Sequence, residues 1–167
     1  MSSMYQTSLP MFIHMLGSIS KILHKAESWG AEKNIAPEVL LNARLAPDMY
    51  PLTKQIQIAT DVVKGCAARL AGVEPPSYAD NEASFAELQA RLEKTIAFLK
   101  AFTPEQIDGS ENRSIELNFP NLQLKLNGQE YLVGFVMPNF YFHLSTAYGI
   151  LRHQGLAVGK MDFLGRT

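Results

Sequence analysis

The chain is poor in charge. Asp, Glu, Lys and Arg make up 19% of its 167 residues, against roughly 25% in an average globular domain. Lys+Arg 15 against Asp+Glu 16 leaves a net charge of -1, which excludes the strongly basic surface of a nucleic-acid module. Cysteine is nearly missing. Cys66 stands alone, so neither an intrachain disulfide nor a zinc-finger cysteine set can form. No apolar run reaches the roughly 18 residues of a transmembrane helix. The N-terminal segment lacks a signal-peptide layout: Lys21 is the first basic residue, and Met11 to Leu23 is interrupted by His14, Gly17, Ser18, Ser20 and Lys21. These absences predict a cytoplasmic protein without membrane or nucleic-acid partners. No HExxH, Glu-x-x-His pair, G-x-S-x-G, P-loop or G-x-G-x-x-G is present either.

What the chain does have is apolar content, 47% of residues, enough for one packed domain over 1–167. Leu9, Phe12, Leu16, Ile19, Leu23 and Ala26 recur three and four apart and predict a helix from Leu9 to about Trp29. Ser8 and Pro10 suit its start and Gly30 its end. His14 falls on the solvated side. A second helix is expected from about Pro47–Met49 to Gly72, with the stripe Met49, Leu52, Ile56, Ala59, Val63, Cys66 and Leu70. Cys66 on that stripe reads as a buried, inert thiol. A third helix opens on Ser84 with Glu87 three residues on, a capping-box spacing. It carries Phe85, Leu88, Leu92, Ile96, Leu99 and Phe102, with Glu87 and Arg91 paired on its outer face.

The period then changes. Ile115, Leu117 and Phe119, then Leu122, Leu124 and Leu126, alternate around Pro120–Asn121, which predicts a short β-hairpin. Asn127–Gly128 reads as a further turn. The last helix is expected from about Gln129 to Gln154 with Gly155 as its stop, and Pro138 should kink it or reset its start to Asn139. From Gly159 the chain reads as a tail, and the basic residues near the C-terminus, Arg152, His153, Lys160 and Arg166, complement a helix end rather than bind nucleic acid. The fold class is therefore mainly all-α: a four-helix bundle with a long crossover and a short β-hairpin before the last helix.

Any site must be assembled across helices. Of the four histidines, only His143 points into the bundle, three residues after Phe140 and four before Ala147. There it is either a hydrogen-bonded core histidine or a ligand or base in a pocket. Asp48 and Gln55 flank the stripe of the second helix on one side. They read either as a helix N-terminal carboxylate and a rim amide, or as polar partners of His143. Tyr131, Phe135, Phe140, Tyr141, Phe142 and Tyr148, with Asn139, either pack the core and a subunit contact or line a small-ligand pocket. The ligand-pocket set is thus His143, Asp48, Gln55, Asn139, Tyr131 and Tyr148. The low charge and the aromatic last helix favour a homodimer that holds a small molecule.

Three segments, RLAPDMYPLTKQ (44–55), ELQARLEKTIAFL (87–99) and NFYFHLSTAYGILRHQGLAVGK (139–160), resemble a bacterial family of uncharacterised proteins within the DinB/YfiT-like superfamily of metalloenzymes. The resemblance covers about residues 4–164. It implies a four-helix bundle with a long crossover and a site for a divalent ion such as zinc or nickel. Three histidines would hold that ion, one from the second helix and two at H-x3-H spacing on the last. Active members of the superfamily include bacillithiol- or mycothiol-dependent transferases and metal-dependent isomerases. Here His143 matches the first histidine of the terminal pair, Ala147 replaces the second, and Gln55 falls where the second-helix histidine would be. No cofactor is expected. The function expected is a ligand-binding or interaction bundle with a degenerate metal site around His143. The alternative is a metal-dependent enzyme of transferase or hydrolase type, with His143 and Asp48 as ligands.

Overall fold

The computed structural model describes residues 3–120 and 122–166; for Phe119 and Leu122 only the backbone is described. Four long helices dominate: α2 (Leu9–Glu32), α4 (Leu52–Ala71), α5 (Phe85–Lys100) and α8 (Met137–His153). Short helices α1 (Met4–Thr7), α3 (Pro37–Leu41), α6 (Pro104–Ile107), α7 (Gly128–Glu130) and α9 (Lys160–Phe163) fill the connections. Strands β1 (Ile115–Phe119) and β2 (Leu122–Leu126) form one antiparallel hairpin.

The expected stripes become the core. Leu9, Phe12, Leu16, Leu23, Leu52, Ile56, Val63, Leu88, Leu92 and Phe140 are fully buried, and each such side chain contributes roughly 1.5–3 kcal/mol relative to an exposed one. Helix α2 packs on α5, α5 on α4, and α4 most extensively on α8. Contacts between α2 and α4 are slight. The chain from α2 to α4 therefore crosses between helices that are not close neighbours, as a long crossover requires.

Several boundaries differ from expectation, each for a local reason. Helix α2 runs past Gly30 because that glycine is packed rather than terminal: a Cβ there would lie 3.1 Å from Leu40 of α3. The chain turns instead at Asn34, with φ 54°. Helix α4 starts at Leu52, not at Pro47–Met49. Pro51 disfavours helical backbone at Tyr50 and is itself extended, at ψ 168°. Asp48 thus lies in an exposed loop ahead of the helix. Arg44 ties that loop down through the Pro47 and Met49 carbonyls, both at 3.2 Å.

The hairpin follows the alternation, with Ile115 opposite Leu126 and Leu117 opposite Leu124. Its inner residues Ile115 and Leu117 are buried, while Glu116 and Lys125 pair across the outer face at 3.1 Å. Asn121 of the expected turn lies outside the described residues. Asn127 caps α7 rather than making a turn: its side chain accepts from Glu130 N–H at 2.9 Å, and Glu130 accepts from Asn127 N–H at 3.1 Å. Pro138 sits in the first turn of α8, which starts at Met137, close to the reset start expected at Asn139. A π-helical segment, Tyr131–Val136, lies immediately upstream. Its wider i→i+5 ladder takes up the hydrogen bond and space that a proline denies.

The expected tail is docked. Helix α9 packs on α2, Lys25 pairs with Asp162, and His14 Nε2 lies 2.8 Å from the Leu164 carbonyl oxygen. His14 remains exposed but holds the C-terminal segment.

Candidate functional site

Helix α8 presents His143 to α4, and α4 presents Gln55 to it. The two side chains meet at 2.6 Å between His143 Nδ1 and Gln55 Oε1. Gln55 is itself oriented: its Nε2 donates to the Tyr50 carbonyl at 3.0 Å, so its oxygen must face the imidazole. A carboxamide oxygen only accepts, so the network assigns the proton to Nδ1 and the lone pair to Nε2. Among the described residues no hydrogen bond reaches Nε2, and it is not sealed from solvent. His143 is 8% exposed. Burial penalises its charged form and lowers its pKa below the ordinary value, so the imidazole is neutral near pH 7. The Phe142 ring stands edge-on to it, with centroids 5.3 Å apart.

A pH dependence follows from that lowered pKa. Above the unfolded value near 6.5 the imidazole is neutral in both states and its contribution is intact. As pH falls through that value, the unfolded chain takes up a proton that the folded chain resists, and stability is lost. Urea midpoints between pH 7.5 and 5 should fall more steeply for the native sequence than for His143→Gln. Parallel curves would refute this.

One helical turn along the same α4–α8 seam, Ile58 and Asn139 enter the wall of a cleft of about 810 Å³. The cleft is bounded by α4, the turn after it, β1 and the π-helical segment. Tyr131, from the expected pocket set, lines it with Asn139. Burial pushes the Tyr131 phenol up to about 12, so it stays protonated. Its oxygen accepts from Arg69 at 3.1 Å, and its ring stacks on Phe135 at 6.0 Å.

The structure therefore divides the expected pocket set. Gln55 and His143 form one hydrogen-bonded pair, and Tyr131 and Asn139 line the neighbouring cleft. Tyr148 points elsewhere: its hydroxyl donates to the Val158 carbonyl at 3.3 Å and its ring meets Phe163. Asp48 makes no hydrogen bond or ion pair among the described residues. Cys66 is buried, and burial raises its thiol far above the ordinary value, as an inert thiol requires.

The three-histidine site implied by the resemblance does not fit these residues. Ala147 offers a fully buried methyl group. Gln55 offers an amide oxygen already committed to His143. Among the described residues no three His, Cys, Asp or Glu side chains come together as a metal-holding group.

A second polar centre escaped the helical pattern. Arg91 is not on the outer face of α5 with Glu87. It is 4% exposed and meets Asp61, Asp80 and Glu82, each at 3.0 Å. It also donates to Thr60 Oγ1 at 2.8 Å and the Ala79 carbonyl at 3.0 Å. Glu87 turns back instead to the Ala83 N–H at 2.7 Å and the Ser84 hydroxyl. Tyr78 lies among cations, with Lys64 Nζ 3.9 Å and Lys94 Nζ 4.1 Å from its ring centre. The group pins the α4–α5 connection to both helices. The density of Asp80, Glu82 and Arg91 in one stretch was the available signal.

A mainly helical bundle with one two-stranded hairpin ahead of its last helix is a DinB-like fold. The chain belongs to the family described as Domain of unknown function (DUF1993), whose family model matches residues 4–164. It is similar to a DinB family member protein from Shewanella denitrificans of known crystal structure, at 37% identity and a TM-score of 0.88. That likeness covers 98% of this chain and 92% of the other. No curated protein sequence matches.

Proposed function

We propose that the protein is a small-ligand-binding bundle in which a hydrogen-bonded Gln55–His143 pair stands where metalloenzymes of this fold would hold an ion. One observation carries this reading: the Gln55 amide is fixed by the Tyr50 carbonyl and occupies His143 Nδ1 at 2.6 Å. A glutamine and an alanine supply no basic nitrogen for a divalent ion, and a lone imidazole holds one weakly. The adjoining cleft of about 810 Å³ is of the size that takes a small organic molecule. The same reading makes the protein a cytoplasmic homodimer. Exposed Tyr50 and Phe142 support an apolar contact, which a native mass measurement checks.

Metal content tests the proposal. Untagged protein should carry zinc, nickel, iron or manganese at well below one per chain, and its melting temperature should not move with EDTA or added zinc. Stoichiometric metal, with a chelator-dependent loss of stability abolished by His143→Ala, would instead establish an atypical metal site and favour the metal-dependent-enzyme reading.

A further inference from the structure

The cleft beside the Gln55–His143 pair holds two guanidinium groups that have no carboxylate partner among the described residues. Arg69 sits in the last turn of α4, where a basic side chain ordinarily complements the helix C-terminus. Its guanidinium does not take that position. It folds back along the helix against Gly65, where a Cβ would lie 2.3 Å from Arg69 Nη1. Of its five N–H groups, one makes a bond among the described residues, Nη1 to Tyr131 Oη at 3.1 Å. The phenol, accepting there, has its own proton left for another acceptor. Arg113 lies over Gly72, where a Cβ would come within 2.0 Å of its Nη1. It makes no ion pair among the described residues. Glycines at both places leave the two guanidiniums room in the cleft wall.

The acidic lining is mostly engaged elsewhere. Asp61 pairs with Lys64 and Arg91, and Glu116 with Lys125. Glu74, exposed at the rim, disfavours a polyanion. Gly65 and Gly72 are seven residues apart, about 10 Å along a helix, so the two arginines do not grip one head together. Arg69 with Tyr131 makes the deeper contact, and Arg113 stands nearer the mouth. Half-buried Ile58 and Val62 and the Tyr131 ring supply an apolar wall.

We propose that this cleft binds a small organic anion, its carboxylate or phosphate head held by Arg69 and Tyr131 and its apolar body laid along α4. The proposal deepens the ligand-binding reading above by naming the ligand class, and it needs neither Gln55 nor His143.

The full chain should be titrated with benzoate, phenyl phosphate and neutral benzamide, followed by amide chemical shifts. At least one anion should bind saturably at residues of α4 and β1, and benzamide should not; the stronger anion identifies the head group. Arg69→Gln should weaken binding at least 10-fold, since charge-assisted hydrogen bonds are lost. Arg113→Gln should weaken it only 2- to 3-fold. Gly65→Ala is the control for folding. It raises helix propensity and meets only the far end of Arg69, so the helix should persist while the guanidinium is displaced and affinity falls. No saturable binding by either anion, equal binding of benzamide, or unchanged affinity in both Arg69→Gln and Gly65→Ala would overturn the proposal. Stoichiometric metal would overturn the metal-free reading and leave anion binding standing.

Discussion

Phe140→Ala should destabilise the protein by about 4 kcal/mol, the scale of a large-to-small change at a closed aromatic core site. Phe140 is fully buried and meets Phe12 of α2 edge to face, with centroids 5.1 Å apart. It thus links the last helix to the first, and truncation leaves a cavity between α2 and α8. The position is also three residues before His143, on the same inner side. Loosening α8 there should weaken the Gln55–His143 bond along with the core. Chemical denaturation followed by circular dichroism measures the loss. A change under about 1.5 kcal/mol would mean that the ring is not the keystone of this packing.

Arg91→Ala should cost about 3 kcal/mol, the size seen when one partner of a buried ion pair is removed. Three carboxylates converge on the guanidinium at 3.0 Å. Glu82 is the most enclosed of them, with its side chain 10% exposed, and Asp61 and Asp80 reach solvent and are penalised less. The Ala79 carbonyl and Thr60 hydroxyl would lose a donor as well. The expected signature is local before it is global: amide exchange across residues 78–84 should rise first, because Arg91 holds that connection in place. A variant as stable as the parent, with unchanged exchange there, would show the network to be dispensable.

The fold was legible because periodicity survives folding. The stripes on α2, α4 and α5 and the alternation of Ile115, Leu117, Leu124 and Leu126 reflect which side of each element meets the core. What could not be read were features decided by distant partners. Gly30 suggests a helix stop until Leu40 packs on it. Pro138 suggests a kink or a fresh start, but not the π-helical segment that continues the chain upstream of it. Arg91 suggests a surface pair until Asp61, Asp80 and Glu82 close over it. At the site, the inward direction of His143 followed from its spacing to Phe140 and Ala147. The meeting with Gln55 was visible only as an edge-of-stripe position. Asp48 was misplaced because Pro51 delays the start of α4, and the Arg69–Arg113 cleft was invisible because it is built from a helix end, a loop and a strand.

The central claim is that a glutamine-held neutral histidine stands in place of a metal centre in this bundle. Nitrogen NMR of the His143 imidazole tests it directly, with His143→Gln for assignment and spectra at pH 7.5 with and without EDTA. The account predicts a neutral ring protonated on Nδ1, with Nε2 unprotonated, and identical spectra under both conditions. A metal-shifted nitrogen that reverts on adding EDTA, or a ring protonated on Nε2, would contradict it.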